Sequence, residues 1–157
     1  MTKIEENLIK YNISIPDATK PIANYSPYLI MKNLVFISGQ IPIVRGEMTY
    51  QGKVGSDLTV NDGIEASKIC ILNTFGILKT ALENKITLIK RCLKITVFIN
   101  SSNDFIEQPK VADGASNLIH NTLGADGKHT RSAVSVNSLP KNSSIEIDSI
   151  FEIHIER

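Results

Sequence analysis

The chain has little of almost everything that would declare its chemistry directly. Its 157 residues include two cysteines, Cys70 and Cys92, and three histidines, His120, His129 and His154. No pair of histidines has the spacing of zinc ligands, and the cysteines form no ligand-spaced cluster, so no metal site is expected. Each thiol stands in a segment patterned as helix or strand and reads as a small buried hydrophobe in a reducing compartment. Positive charge is not in excess either, with 17 Lys and Arg against 16 Asp and Glu, a net charge of +1. A nucleic-acid binder concentrates basic residues on one face, because counterion release from phosphates supplies much of its affinity. The densest basic stretch here, Lys85 to Lys94, reads instead as a helix exit followed by a solvated strand edge. Apolar runs such as Leu34 to Ile37 fall far short of the roughly 20 residues that span a bilayer. Met1 to Lys10 carries Lys3, Glu5, Glu6 and Lys10 with no apolar run, so export is not expected and a cytoplasmic location is. There is no phosphate-binding glycine loop and no Gly-x-Ser-x-Gly elbow, and Gly52 and Gly55 read as turn glycines.

What remains is an ordinary globular composition, 42% hydrophobic and 21% charged, at a length that buries one core. One domain is expected over residues 1–157, with about residues 1–14 as a polar extension. Pro16, Pro21 and Pro27 break the stretch from Ile15 to Tyr28 into extended chain or loop. Leu34 to Ser38 is a continuous β-prone run that reads as a strand buried on both faces, and Tyr50 to Val54 reads as a short second strand after an Arg45-Gly46 turn. Thr59 stands three residues before Asp62 in a capping-box arrangement, and Ala66, Ile69, Cys70, Asn73, Ile77 and Ala81 recur at helical spacing. Cys92 to Ile99 is strand. Asp104 to Leu123 is helical, with Pro109 in the first turn, where a missing N–H costs nothing, and Gly124 at the end. Arg131 to Val136 and Ser144 to Ile155 are strands joined by the loop Leu139 to Asn142.

The last strand alternates strictly, with Ile145, Ile147, Phe151, Ile153 and Ile155 on one face and Glu146, Asp148, Glu152, His154 and Glu156 on the other. Ile150 is the exception on the polar face, and a second subunit lying over that face would account for it. The order ββαβαββ predicts an α+β sandwich, with two helices packed on one face of a mixed sheet.

Two residues stand out. Arg131 shares a strand face with Ala133 and Ser135, whose small side chains leave room beside a guanidinium able to grip a carboxylate through two parallel hydrogen bonds. Glu146, on the polar face of the next strand, falls near Arg131 if the two strands pair on the same side of the sheet, and a carboxylate there orients a water and moves its proton. Taken alone, a surface ion pair for Arg131 and an exposed strand glutamate for Glu146 are the commoner accounts.

Ile37-Ser38-Gly39-Gln40-Ile41-Pro42, Val97-Phe98 with Asn103-Asp104-Phe105, and Arg131 to Val136 with Leu139-Pro140 and Ile145-Glu146-Ile147 occur in the order and spacing of the Rid (reactive intermediate deaminase) family. The resemblance runs from about Pro21 to Ile155. It implies a chorismate-mutase-like fold, a homotrimer with a cleft at each subunit interface, and hydrolysis of 2-imino acids to 2-keto acids and ammonia without metal or organic cofactor. It further implies that Arg131 binds the substrate carboxylate and Glu146 orients water. Ser38, Gly39 and Ala133 then line the cleft, and Tyr25 supplies an aromatic lid. The family's deaminases carry Cys where this chain has Ala133 and an Asn near Pro109. A trimeric sensor of small carboxylates or keto acids is the alternative to an enzyme. A ribonuclease, the family's older label, fits poorly with near-neutral charge and no aromatic stripe, and no nucleic-acid or membrane partner is expected.

Overall fold

The computed structural model describes residues 1–18 and 24–155. Its centre is a five-stranded sheet in the order β1-β2-β7-β5-β6. The strands are β1 (Tyr28–Met31), β2 (Leu34–Gln40), β5 (Ile89–Asn100), β6 (Thr130–Val136) and β7 (Ile145–Ile153), and a separate hairpin is made by β3 (Ile43–Val44) and β4 (Glu47–Met48). Helices α2 (Val60–Ala81) and α3 (Gln108–Leu123) cover one face, and α1 (Lys3–Lys10) lies against α3. All pairings in the large sheet are antiparallel except β5–β6, which is parallel because α3 carries the chain back to its starting end. Sheet and helices together give the expected mixed α+β fold.

The alternation of β7 decides where the core lies. Ile145, Ile147, Ser149, Phe151 and Ile153 are buried under the helices, whereas Glu146, Asp148, Ile150 and Glu152 are only partly covered. Phe75 of α2 meets Phe151 with ring centroids 6.1 Å apart and tilted by 59°, the geometry aromatic quadrupoles favour. Helices α2 and α3 approach closely because Gly114 has no side chain. A Cβ there would sit 2.5 Å from both the Ile64 carbonyl and Ser67 Oγ.

The first helix was not anticipated. Thr2 and Glu5 form a reciprocal capping box, and Asn7 Nδ2 donates to the Thr122 carbonyl at 3.1 Å, so the polar extension docks as a helix. The second expected strand is also different. Residues 50–54 make only isolated bridges, with positive φ at Gly52 and Gly55 supporting the turn, and the early strand pair is β1–β2 instead. The Arg45-Gly46 turn does form, with φ of 51° and 82°, the paired positive values of a tight hairpin. Strand β2 is buried by its own chain on one face only, since Val35 and Ile37 are inside and Phe36 is 39% exposed. Pro109 occupies the first turn of α3 and Gly124 caps its end. Pro21 and Glu156 lie outside the described residues.

Among the described residues, no helix is long and apolar enough to cross a membrane. Cys70 and Cys92 are free and buried, the first in α2 and the second in β5. Burial pushes the Cys92 thiol up to about 12, and the Cys70 thiol is raised too, first by burial and then by the Glu146 charge. A thiol held protonated and shielded does not attack disulfides. Native protein is therefore expected to leave Ellman's reagent unreacted, and guanidinium unfolding to release two thiols; rapid reaction of the native protein would contradict the placement.

Candidate functional site

Arg131 and Glu146 do not meet in this chain. They were expected on one side of the sheet, on adjacent strands. Strand β5 lies between β6 and β7, and the two side chains leave opposite faces. Arg131 pairs in register with the fully buried Ile95 and points to the helix side, whereas Glu146 pairs with Phe98 on the side away from the helices. The cause is register. Through β5, Arg131 lines up with Ile95 and Ser149, and Glu146 with Phe98 and Val134, so the two fall on opposite phases of the alternation.

The half-site around Arg131 is built by α3 and the edge strand. Its Nη1 donates to Asp113 Oδ1 at 2.9 Å and to Ser116 Oγ at 3.1 Å, and its Nη2 to the Pro109 carbonyl at 3.4 Å. The arginine side chain is 23% exposed, so it is held but reachable. Ala133, two residues on, faces the same side, next to the core. Behind Ser116 stands His129, whose Nε2 is 3.0 Å from Ser116 Oγ and whose Nδ1 is 2.6 Å from the Gly127 carbonyl. Burial lowers the His129 pKa, the hydrogen bond with Gly127 opposes this and the Arg131 charge adds to the lowering, a balance that favours the neutral ring. A carbonyl only accepts, which puts the ring proton on Nδ1.

The other half-site lies on the open face at the β2–β7 pairing. The register slips between Ile37 and Gln40, so Ser38 and Gly39 form a bulge opposite β7. The Glu146 carboxylate folds over this bulge, and a Cβ on Gly39 would lie 2.1 Å from Glu146 Oε1. The carboxylate can thus lie here only because position 39 has no side chain. Burial lifts the Glu146 carboxyl above its ordinary value, and Asp148 on the same face adds to the shift. Ser38 ties the segment carrying Tyr25 to the bulge, its Oγ donating to the Ser26 carbonyl at 2.8 Å and its N–H to the Pro27 carbonyl at 3.0 Å. Tyr25 itself is 58% exposed beside that anchor.

The structure thus gathers Ser38, Gly39 and Glu146, with Tyr25 tethered nearby, on one face, and Arg131 and Ala133 on the other. Sequence reading missed Asp113, Ser116 and His129. The signal was available in part, since Asp113 and Ser116 are three apart on one helix face and His129 sits two before Arg131 on a strand approach.

Gly39→Ala is expected to fold, because the clashing atoms are the end of a flexible side chain. The displaced Glu146 carboxyl then enters solvent and titrates closer to an ordinary glutamate, measurable by carbon NMR of labelled carboxylates. An unchanged, raised titration would show that the glycine is not what admits the carboxylate.

Comparison with known proteins finds the same fold elsewhere. Residues 5–153 match the family model described as "YjgF/chorismate_mutase-like, putative endoribonuclease". A crystal structure of the protein Atu1372 from Agrobacterium tumefaciens superposes with a TM-score of 0.89 at 40% identity, covering 96% of this chain and 92% of that one. Protein TCP17 of Trypanosoma cruzi is 37% identical over 155 residues, 97% of this chain and 95% of its own. A protein of Dermatophagoides farinae named 2-iminobutanoate/2-iminopropanoate deaminase is 30% identical over 142 residues, 90% and 94% of the two chains. With a family match spanning nearly its whole length and relatives covered over more than nine-tenths of theirs, the chain belongs to the YjgF family, also called RutC or Rid.

Proposed function

We propose that the protein hydrolyses small 2-imino acids to 2-keto acids and ammonia, in clefts where one copy's Arg131 half-site faces a neighbour's Glu146 half-site in a homotrimer. The observation that carries this reading is the split itself. An arginine suited to a carboxylate and a glutamate with a raised pKa lie on opposite faces of one sheet, so a second copy is needed to bring them together. The surface around the Glu146 half-site supports an assembly. Leu29, Met31, Phe36 and Val134 are 66%, 65%, 39% and 45% exposed, and Leu29, Phe36 and Ile150 line up across β1, β2 and β7 on the open face. An apolar strip of this kind marks an interaction surface. Family membership and the deaminase relative support the chemistry.

In the proposed reaction Arg131 fixes the substrate carboxylate. Glu146 takes a proton from water as the water oxygen bonds to the imine carbon, and returns it to the nitrogen. Glu146 then carries the proton of the new hydroxyl to the nitrogen as well, the C–N bond breaks, and ammonia leaves as the carbonyl forms. Imines hydrolyse readily, so positioning and one placed base suffice, and Ala133 removes no group this scheme uses. The near-neutral charge favours this reading over a ribonuclease.

The test generates 2-iminopropanoate in situ and follows its decay. Wild type is expected to accelerate it, Arg131→Ala to lose most of that acceleration, and Glu146→Gln to lower kcat by about a hundredfold. Equal decay with wild type and Arg131→Ala would end the deaminase reading for this substrate. Stabilisation by pyruvate without turnover, lost in Arg131→Ala, would favour a carboxylate sensor. In sedimentation at micromolar concentration wild type should run as a trimer and Phe36→Asp as a smaller species. A wild-type monomer would remove the shared cleft.

A further inference from the structure

The guanidinium of Arg131 is held from one end only. Both Nη1 hydrogens are taken, by Asp113 Oδ1 and Ser116 Oγ, and one Nη2 hydrogen faces the Pro109 carbonyl. All three acceptors belong to α3, within its first three turns. An arginine has five N–H donors. The Nε–H and one Nη2–H are without a partner among the described residues, and Nε and Nη2 flank the side edge of the guanidinium, the edge that matches a carboxylate with two parallel bonds.

The Ser116 end has a fixed direction. His129 Nδ1–H donates to the Gly127 carbonyl, which leaves Nε2 as an acceptor. Ser116 receives a hydrogen bond from Arg131 and so gives its own proton to His129 Nε2. The resulting chain runs from His129 through Ser116 to Arg131 and on to Asp113. Each link is set by the one before it, and a neutral imidazole terminates it.

We infer that Asp113 and Ser116, with His129 orienting Ser116, are positioning residues that hold Arg131 by Nη1 so that its Nε–Nη2 edge is presented to the ligand carboxylate. This rests on the proposed role of Arg131 and adds the reason its side chain is aimed. Asp113 acts through its acceptor oxygen. A guanidinium free to swing would pay the cost of ordering when the ligand binds.

Positioning predicts a loss in binding without a matching loss in chemistry. Asp113→Ala and Ser116→Ala should each weaken pyruvate binding about tenfold and raise KM for 2-iminopropanoate by a similar factor, with kcat changed less than about twofold. Asp113→Asn keeps the acceptor oxygen and should recover most of the affinity, which also separates positioning from misfolding. Nitrogen NMR of the imidazole should show the Nδ1–H form of His129 in wild type, the form the Gly127 carbonyl selects; an Nε2–H form would reverse the chain at Ser116 and overturn the inference. Pyruvate affinity unchanged in both alanine variants, while Arg131→Ala abolishes it, would overturn the inference and leave the arginine's role intact. A fall in kcat at constant KM would overturn it as well. Unaltered pyruvate binding in Arg131→Ala would instead remove the underlying role.

Discussion

Side chains on a strand alternate between two faces, and the placement of the two central groups of the candidate site, Arg131 and Glu146, follows from that rule. Arg131 and Glu146 belong to strands separated only by β5, yet their registers send them to opposite sides of the sheet. No rotamer change bridges that gap, because the backbone of β5 and its buried side chains stand in between. A site using both groups must therefore be assembled from two molecules, or use only one of them. The surrounding features favour the first. Strand β6 ends the sheet, which leaves the Arg131 side approachable from the edge, and the β2 bulge at Ser38 and Gly39 opens the other face beneath Glu146.

The uneven covering of the sheet fits the same scheme. On one face α2 and α3 bury Ile145, Ile147 and Phe151 completely, with Phe75 and Phe151 at the centre. The other face keeps Phe36, Leu29 and Ile150 in a row that water alone would cover at a free-energy cost. Hydrophobic area of this kind is stabilising only once something lies over it. In the proposed trimer the contact that buries the strip also brings the neighbour's edge strand to the Glu146 half-site. Stability and assembly of the cleft are then coupled, and the partly buried Glu146 gains a cation that one chain does not offer it.

Much of this was legible in the sequence, for physical reasons that can be named. Period-two patterning in β7 placed Glu146 and Ile150 on the less covered face, and Ile150 alone signalled that this face is not purely solvated. Pro109 and Gly124 marked the ends of α3, and the small residues beside Arg131 fell on its own face as expected. What alternation cannot give is which strands are neighbours. Two strands joined by a short loop suggest a hairpin, and here β5 lies between them, in a register that lines Arg131 up with Ser149 rather than with Glu146. The dock of α1 depended on the Thr2–Glu5 capping box, visible in the sequence but outweighed by the segment's polarity. Asp113, Ser116 and His129 converge on Arg131 only through the α3–β6 packing, and local spacing does not report such convergence.

The central claim is that a working site takes Arg131 from one copy and Glu146 from another, and subunit mixing addresses it most directly. Arg131→Ala and Glu146→Gln proteins, each strongly impaired alone, would be dissociated, combined in equal amounts and reassembled. Random assembly gives about a quarter of the clefts both native groups, so roughly that share of wild-type turnover should return. A mixture no more active than its separate components would contradict a site shared between subunits.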